Sequence, residues 1–171
     1  GVEKQVRGEL LSAEKTCRVT VSVLDSGRIP FVENTVNRIV CIQVTGDIRL
    51  TVRHVAFHEG VDYAVRILEA SRNQDKYWET LETLLARQRE WVSNHVVQPE
   101  RVLPTLAGLG LDMEQLQADM NSSEVQQRMD KDFQDSKVLK VVATPEYFVN
   151  GRQLPSFGQE QLANLVREEL Q

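Results

Sequence analysis

Cys17 and Cys41 are the only thiols in a chain of 171 residues. Thiol chemistry runs through the thiolate, which forms where helix N-terminal N–H groups or cations lower the thiol pKa. Cys17 opens a predicted strand and reads as a small, half-buried strand residue. Cys41 falls near the far end of a predicted helix, where the dipole is negative and raises a thiol's pKa. On a wheel of about 100° per residue it also points away from the apolar face. Neither is placed as a nucleophile. A disulfide closing their 24-residue separation would add roughly 3–4 kcal/mol on the chain-entropy model, and the orientation of Cys41 argues against it. Two cysteines are also too few for a disulfide scaffold or a structural zinc site. His54 and His58 have the i, i+4 spacing that ligates metal on a helix, but His54 ends a predicted strand and His58 follows in a loop. They and His95 are read as structural, and no metal or cofactor is expected. The chain has no Gly-rich phosphate loop and no G-x-S-x-G elbow. Trp78 and Trp91 are expected to fill a helical core, and the acids Asp130, Asp132, Glu168 and Glu169 to form solvated helix faces.

The elements that position these residues follow from periodicity. Val19, Val21 and Val23 alternate through Cys17–Leu24, and Ile48, Leu50 and Val52 alternate with Arg49, Thr51 and Arg53 through Asp47–Val55, so both segments are predicted strands. Between them Ile29, Val32, Val36, Ile39 and Val40 recur at helical spacing behind Pro30, which completes a βαβ unit. From Gly60 to Leu139 the period is helical, with room for four or five helices. Val61, Ala64, Val65 and Leu68 form one apolar face and Trp78, Leu81, Leu84 and Leu85 the next. Pro99 opens a helix that stops by Gly108 and Gly110, Asp112 with Gln115 has the form of a capping box, and Ser122 or Ser123 caps a segment carrying Val125, Met129 and Phe133. Glu146–Val149, Asn150-Gly151 and Arg152–Leu154 read as a β-hairpin on a type I′ turn. A last helix from about Gly158 to Leu170 turns Leu162, Leu165 and Val166 inward.

Composition bounds the function. Twenty Lys and Arg against 25 Asp and Glu give a net charge of −5, which offers a phosphate backbone nothing to bind, so nucleic acid is not an expected partner. The longest apolar runs, such as Ile39–Ile42, fall far short of the ~18 residues of a spanning helix, and no basic-then-apolar leader opens the given chain. A single soluble domain over residues 1–171 is expected.

Strand, helix, strand, helical block, then Ala143-Thr144-Pro145, a hairpin and a final helix is the order of a thioredoxin fold carrying a helical insertion. The residues carry the likeness further. Ala143–Leu170 (ATPEYFVNGRQLPSFGQEQLANLVREEL), Arg53–Ala70 and Lys76–Ala86 closely resemble DsbA-like thioredoxin-fold proteins, the family of protein disulfide oxidoreductases. The resemblance implies an α/β fold with thioredoxin parts at about 15–58 and 140–171 and a helical insertion at about 59–139. It also implies a cis Pro145 with Thr144 before it, facing the redox site, and a periplasmic or secreted location.

The family's Cys-x-x-Cys is absent. Its place, just after the first strand, reads Leu24-Asp25-Ser26-Gly27-Arg28-Ile29-Pro30-Phe31, which sets Arg28 and Phe31 near the expected cysteine positions. Neither side chain can attack or leave as a thiolate does, so no catalytic residue is assigned. In the family, the backbone before the cis-proline pairs with extended substrate by strand addition. The expected function is therefore a non-catalytic or impaired relative that binds a polypeptide, or a second copy of itself, through a groove bordered by Ala143, Thr144, Pro145 and Phe31. The alternative is a thiol–disulfide oxidoreductase whose active-site segment is altered in this sequence. The likeness lapses over Asp25–Gly46 and resumes beyond, as divergence or a shifted reading frame would leave it.

Overall fold

The computed structural model describes residues 19–25, 48–56, 60–94, 96–156 and 158–171. The predicted helix behind Pro30 and the residues Cys17, Arg28, Phe31, Cys41, His58 and His95 lie outside the described residues. The chain divides into two compact units. One is built on strands and holds residues 19–25, 48–53 and 134–171 of those described; the other is helical and holds 54–133.

In the strand unit, β1 (Val19–Asp25), β2 (Ile48–His54, its last residue counted with the helical unit), β5 (Glu146–Val149) and β6 (Arg152–Gln153) form one sheet in the order β2-β1-β5-β6. β5 runs antiparallel to β1, with Val21 opposite Val149 and Leu24 opposite Glu146. β6 folds back on β5 through Asn150-Gly151, whose φ values of 46° and 75° are the positive pair that a type I′ turn requires. Tyr147, Phe148 and Val149 are buried, and a C-terminal helix, α7 (Gln159–Leu170), lays Leu162, Leu165 and Val166 against β1 and β5. Arg152 on β6 pairs with Glu169 at 2.7 Å and Glu168 at 3.3 Å. Hydrogen bonds from Arg152 and then Asn150 hold the Glu169 carboxyl below the usual carboxylate range, so the expected solvated face is here an ion-paired one. Arg53, expected on the outer face of its strand, is buried instead and pairs with Asp135. Its burial follows from that counter-charge, since a lone guanidinium would not leave water.

In the helical unit, α1 (Val61–Ser71), α2 (Tyr77–Ala86), a single turn α3 (Gln88–Trp91), α4 (Pro99–Thr105), α5 (Met113–Met120) and the first part of α6 (Ser123–Val138) follow one another. A two-stranded hairpin, β3 (Val92–Ser93) with β4 (Val96–Val97), interrupts them. Neither that hairpin nor the four-residue α3 is long enough to show a period, which is why the helical reading passed over both. The caps follow sequence chemistry. Asp112 Oδ1 accepts from the Gln115 N–H at 3.0 Å, while the Gln115 side chain donates to Asp119 rather than closing the box, and Ser122 Oγ accepts from Val125 N–H at 3.2 Å. Trp91 is buried with its indole N–H on Leu84 O; Trp78 is half-exposed, edge-on to Tyr77.

A carboxylate sits inside this unit. Glu69 is 4% exposed, accepting Arg72 Nε at 2.8 Å and a second Arg72 N–H at 3.1 Å, with Arg128 Nε 3.1 Å away. Arg72 also stacks 3.6 Å over the Tyr77 ring. Burial works against its charge, but the Glu69 hydrogen bond, with Tyr77 and Asp132 nearby, leaves its pKa raised. Asp132, expected in a solvated run, accepts the His54 backbone N–H at 3.0 Å. Side-chain exposures of 37% for Arg72 and 32% for Arg128 put the cost of Glu69→Ala at about 2–3 kcal/mol, short of the ~3–5 of a fully buried pair. A thermal melt is expected to fall by roughly 5–10 °C; an unchanged midpoint would show that solvent screens the cluster.

Helix α6 ends in a Schellman motif. Val141 N–H donates to Ser136 O at 2.9 Å and Lys140 N–H to Lys137 O at 3.1 Å, with Lys140 at φ 57°. Glycine takes that left-handed position without strain, whereas a side chain there costs ~1 kcal/mol. Lys140→Gly is expected to raise stability by about 1 kcal/mol, read as a rise in the urea midpoint at constant slope; a fall would show that the Lys140 side chain makes a contact worth more than the strain.

Candidate functional site

The register of the sheet locates the loop that the sequence singled out. Because Leu24 lies opposite Glu146 in an antiparallel pair, one further step sets Asp25, the last residue of β1, opposite Pro145. The structure thus brings Ala143, Thr144 and Pro145 to the end of β1; Arg28 and Phe31 lie outside the described residues.

The loop itself is anchored at both ends. Val141, buried, is held by the α6 cap, and Tyr147, Phe148 and Val149 are buried on the far side. Between these anchors the Thr144-Pro145 peptide bond is cis. Val142 is 89% exposed, Ala143 is exposed, and Thr144 and Pro145 are half-buried. Val142 is the residue that sequence reasoning missed. It continues the apolar pair Val141-Val142, and only the alternation across a fixed cap shows which of the two faces water. An exposed valine alone is ordinary; this one stands two residues before the Thr144-Pro145 cis bond.

Of the three histidines, His54 lies among the described residues. His54 is buried, its Nε2 2.9 Å from the Tyr77 hydroxyl and 4.0 Å from Glu69 Oε1, a position fixed by neighbours and suited to structure rather than ligation. Among the described residues no group of three or more His, Cys, Asp and Glu side chains is placed to hold a metal ion. Among them, too, no helix is long and apolar enough to cross a membrane.

Comparison with known proteins agrees with the fold. The family model described as Thioredoxin matches residues 33–168. A thioredoxin-like oxidoreductase from Silicibacter pomeroyi DSS-3 superposes with a TM-score of 0.77 at 25% identity, over 95% of this chain and 96% of its own. The oxidoreductase DsbA from Xylella fastidiosa shares the fold, with a TM-score of 0.73 at 19% identity over 94% of this chain and 87% of its own. A Na(+)/H(+) antiporter NhaA from Herminiimonas arsenicoxydans is 35% identical over 108 residues, which is 63% of this chain and only 16% of the antiporter's length. With a family match across most of its length and the β2-β1-β5-β6 sheet closed by a terminal helix, this chain belongs to the thioredoxin family, in the DsbA-like form that carries a helical insertion.

Proposed function

We propose that this protein is a DsbA-like thioredoxin-fold protein without the two-cysteine redox cycle, and that it binds extended polypeptide along the backbone ahead of Pro145. The observation that carries the reading is the exposed Val142-Ala143 segment at the end of β1 and β5. An extended peptide would pair with its main chain and cover Val142, and Phe31 is the apolar side chain expected to border the same groove. Ser26–Phe31 contains no cysteine, so on this reading that segment forms no mixed disulfide with the peptide and affinity comes from contacts alone. Two main-chain hydrogen bonds at a net ~0.5–1.5 kcal/mol each and one buried ring at ~1.5–3 kcal/mol total at most about 6 kcal/mol before ordering costs. Binding should be weaker than ~10 μM. Family membership supports a periplasmic or secreted setting. The antiporter relative, in which the like segment is a small part of a much longer chain, supports a module that also works as an appendage of a membrane protein.

A second reading, a thiol–disulfide oxidoreductase altered in the segment after Asp25, is favoured by the family match, which begins at residue 33 inside that stretch and runs to residue 168. The coding DNA across that stretch separates the two, because an out-of-frame Cys-x-x-Cys there would identify an altered oxidoreductase.

Dithiol-dependent insulin reduction is expected to stay at the uncatalysed rate. Robust turnover abolished by Cys41→Ser would overturn the first reading and establish the second.

Peptide binding is read by backbone NMR shifts during titration with an unfolded peptide lacking cysteine and basic residues. The largest changes are expected at Val142, Ala143, Thr144 and Ser26–Phe31, and Phe31→Ala and Val142→Ser should each weaken them. Shifts confined to residues 60–139, or none at millimolar peptide, would show that the functional surface lies elsewhere.

A further inference from the structure

The helical unit holds a cavity of about 270 Å³ between the first turns of α1 and the middle of α6. Val65, Met129 and Phe133 supply apolar wall. Phe133 continues the apolar face of Val125 and Met129, yet it is 41% exposed at the rim, where an interior-facing ring would be covered. Two carboxylates, Asp62 and Asp130, line the same space. Asp62 has no cationic partner among the described residues, and Asp130 Oδ1 accepts only the neutral Gln126 amide, at 2.8 Å.

One guanidinium, Arg66, also lines the cavity, but its hydrogen bonds go to neutral groups. Arg66 donates to the Met120 carbonyl at 3.3 Å and to Gln126 Oε1. Gln126 therefore faces Arg66 with its oxygen and Asp130 with its nitrogen, which keeps the guanidinium from neutralising that carboxylate directly. His54, also in the lining, is engaged with the Tyr77 hydroxyl. Among its described lining residues the cavity thus has an excess of negative charge beside an apolar wall.

We propose that this cavity receives a basic side chain, Lys or Arg, presented by a partner polypeptide. Such side chains have an aliphatic stem that packs on apolar surface while the head stays polar. Here the stem would lie along Val65 and Met129, and the head would reach Asp62 and Asp130. The chain's net charge of −5 favours encounter with a basic partner. This proposal does not rest on the reading of the loop ahead of Pro145.

The test is an NMR titration of the full chain with three capped, alanine-flanked peptides carrying Lys, norleucine or Glu at the centre. Norleucine keeps the stem and removes the charge. The Lys peptide is expected to shift Asp62, Val65, Gln126 and Asp130 with saturation in the millimolar range, roughly three- to fivefold more tightly than norleucine, since exposed ion pairs are worth only a fraction of a kcal/mol each. Added salt should remove that difference. Asp62→Asn with Asp130→Asn should abolish the preference without altering shifts at Val142 and Ala143 produced by a non-basic peptide. Both acids are exposed, so the fold should survive, and an unchanged thermal melt checks it. Equal binding of Lys and norleucine, a stronger response to Glu through Arg66, or an unaltered preference in the double variant would overturn the proposal.

Discussion

The antiparallel register of β5 on β1 is the constraint on which the candidate site depends. Side chains alternate faces along a strand, so a slip of one residue would invert every side chain of β5 relative to the core. Tyr147, Phe148 and Val149 are buried, and α7 packs over β1 and β5, so such a slip would disturb the strand unit's core. The register is pinned from the other side by Asn150-Gly151, whose positive φ values fix a two-residue connection to β6. With both ends set, the residue opposite Asp25 has to be Pro145. The position of the loop is thus a product of core packing and turn chemistry and needs nothing from the residues that would do redox work.

The helical unit is held differently. Its apolar faces pack by size and period, but Glu69 brings a charge inside, satisfied by Arg72 and bordered by Arg128, with His54, Tyr77 and Asp132 around them. Removing one partner of such a group costs more than the pair contributes, because the remaining charge stays in a poorly solvated place. The cluster therefore ties α1, α2 and α6 together by geometry more than by net energy. Arg72 does this twice, bonded to Glu69 and stacked on Tyr77, a combination that a lysine could not reproduce.

What was legible in the sequence is what repeats or caps. The apolar faces of α1 and α7, the Asp112 and Ser122 caps and the Asn150-Gly151 hairpin all carry local signals, and each lies where its residue types require. The resemblance to DsbA-like proteins fixed attention on Ala143, Thr144 and Pro145, and the sheet register gives them a common place. Pairing between distant residues was not legible. Arg53 alternates like a solvent-facing residue, and only Asp135, 82 positions away, turns it inward. Asp132 and Glu169 sit in runs of charge that look solvated until His54 and Arg152 arrive from other elements. Val142 shows the same limit at the loop, for its exposure depends on a helix cap formed by Lys140, a residue whose type gives no hint of a left-handed turn.

On the proposed reading, in which no thiol exchange takes place, different physical quantities select a ligand. A thiol–disulfide exchanger needs only brief contact, because the covalent step captures the substrate once a thiolate reaches it. Without that step, residence depends on area and complementarity, and a short main-chain pairing with one apolar side chain gives at most weak, sequence-tolerant binding. Selectivity would then have to come from a second contact. A linked ligand that engages two weak sites gains from effective concentration when its length matches their span, and gains nothing when it does not. Binding by the main chain ahead of Pro145, as proposed, would be indifferent to sequence, whereas the proposed cavity site lined by Asp62 and Asp130 would discriminate by charge. If both proposed sites serve one partner, substitutions at the cavity would change which polypeptides bind while leaving the strand pairing itself intact.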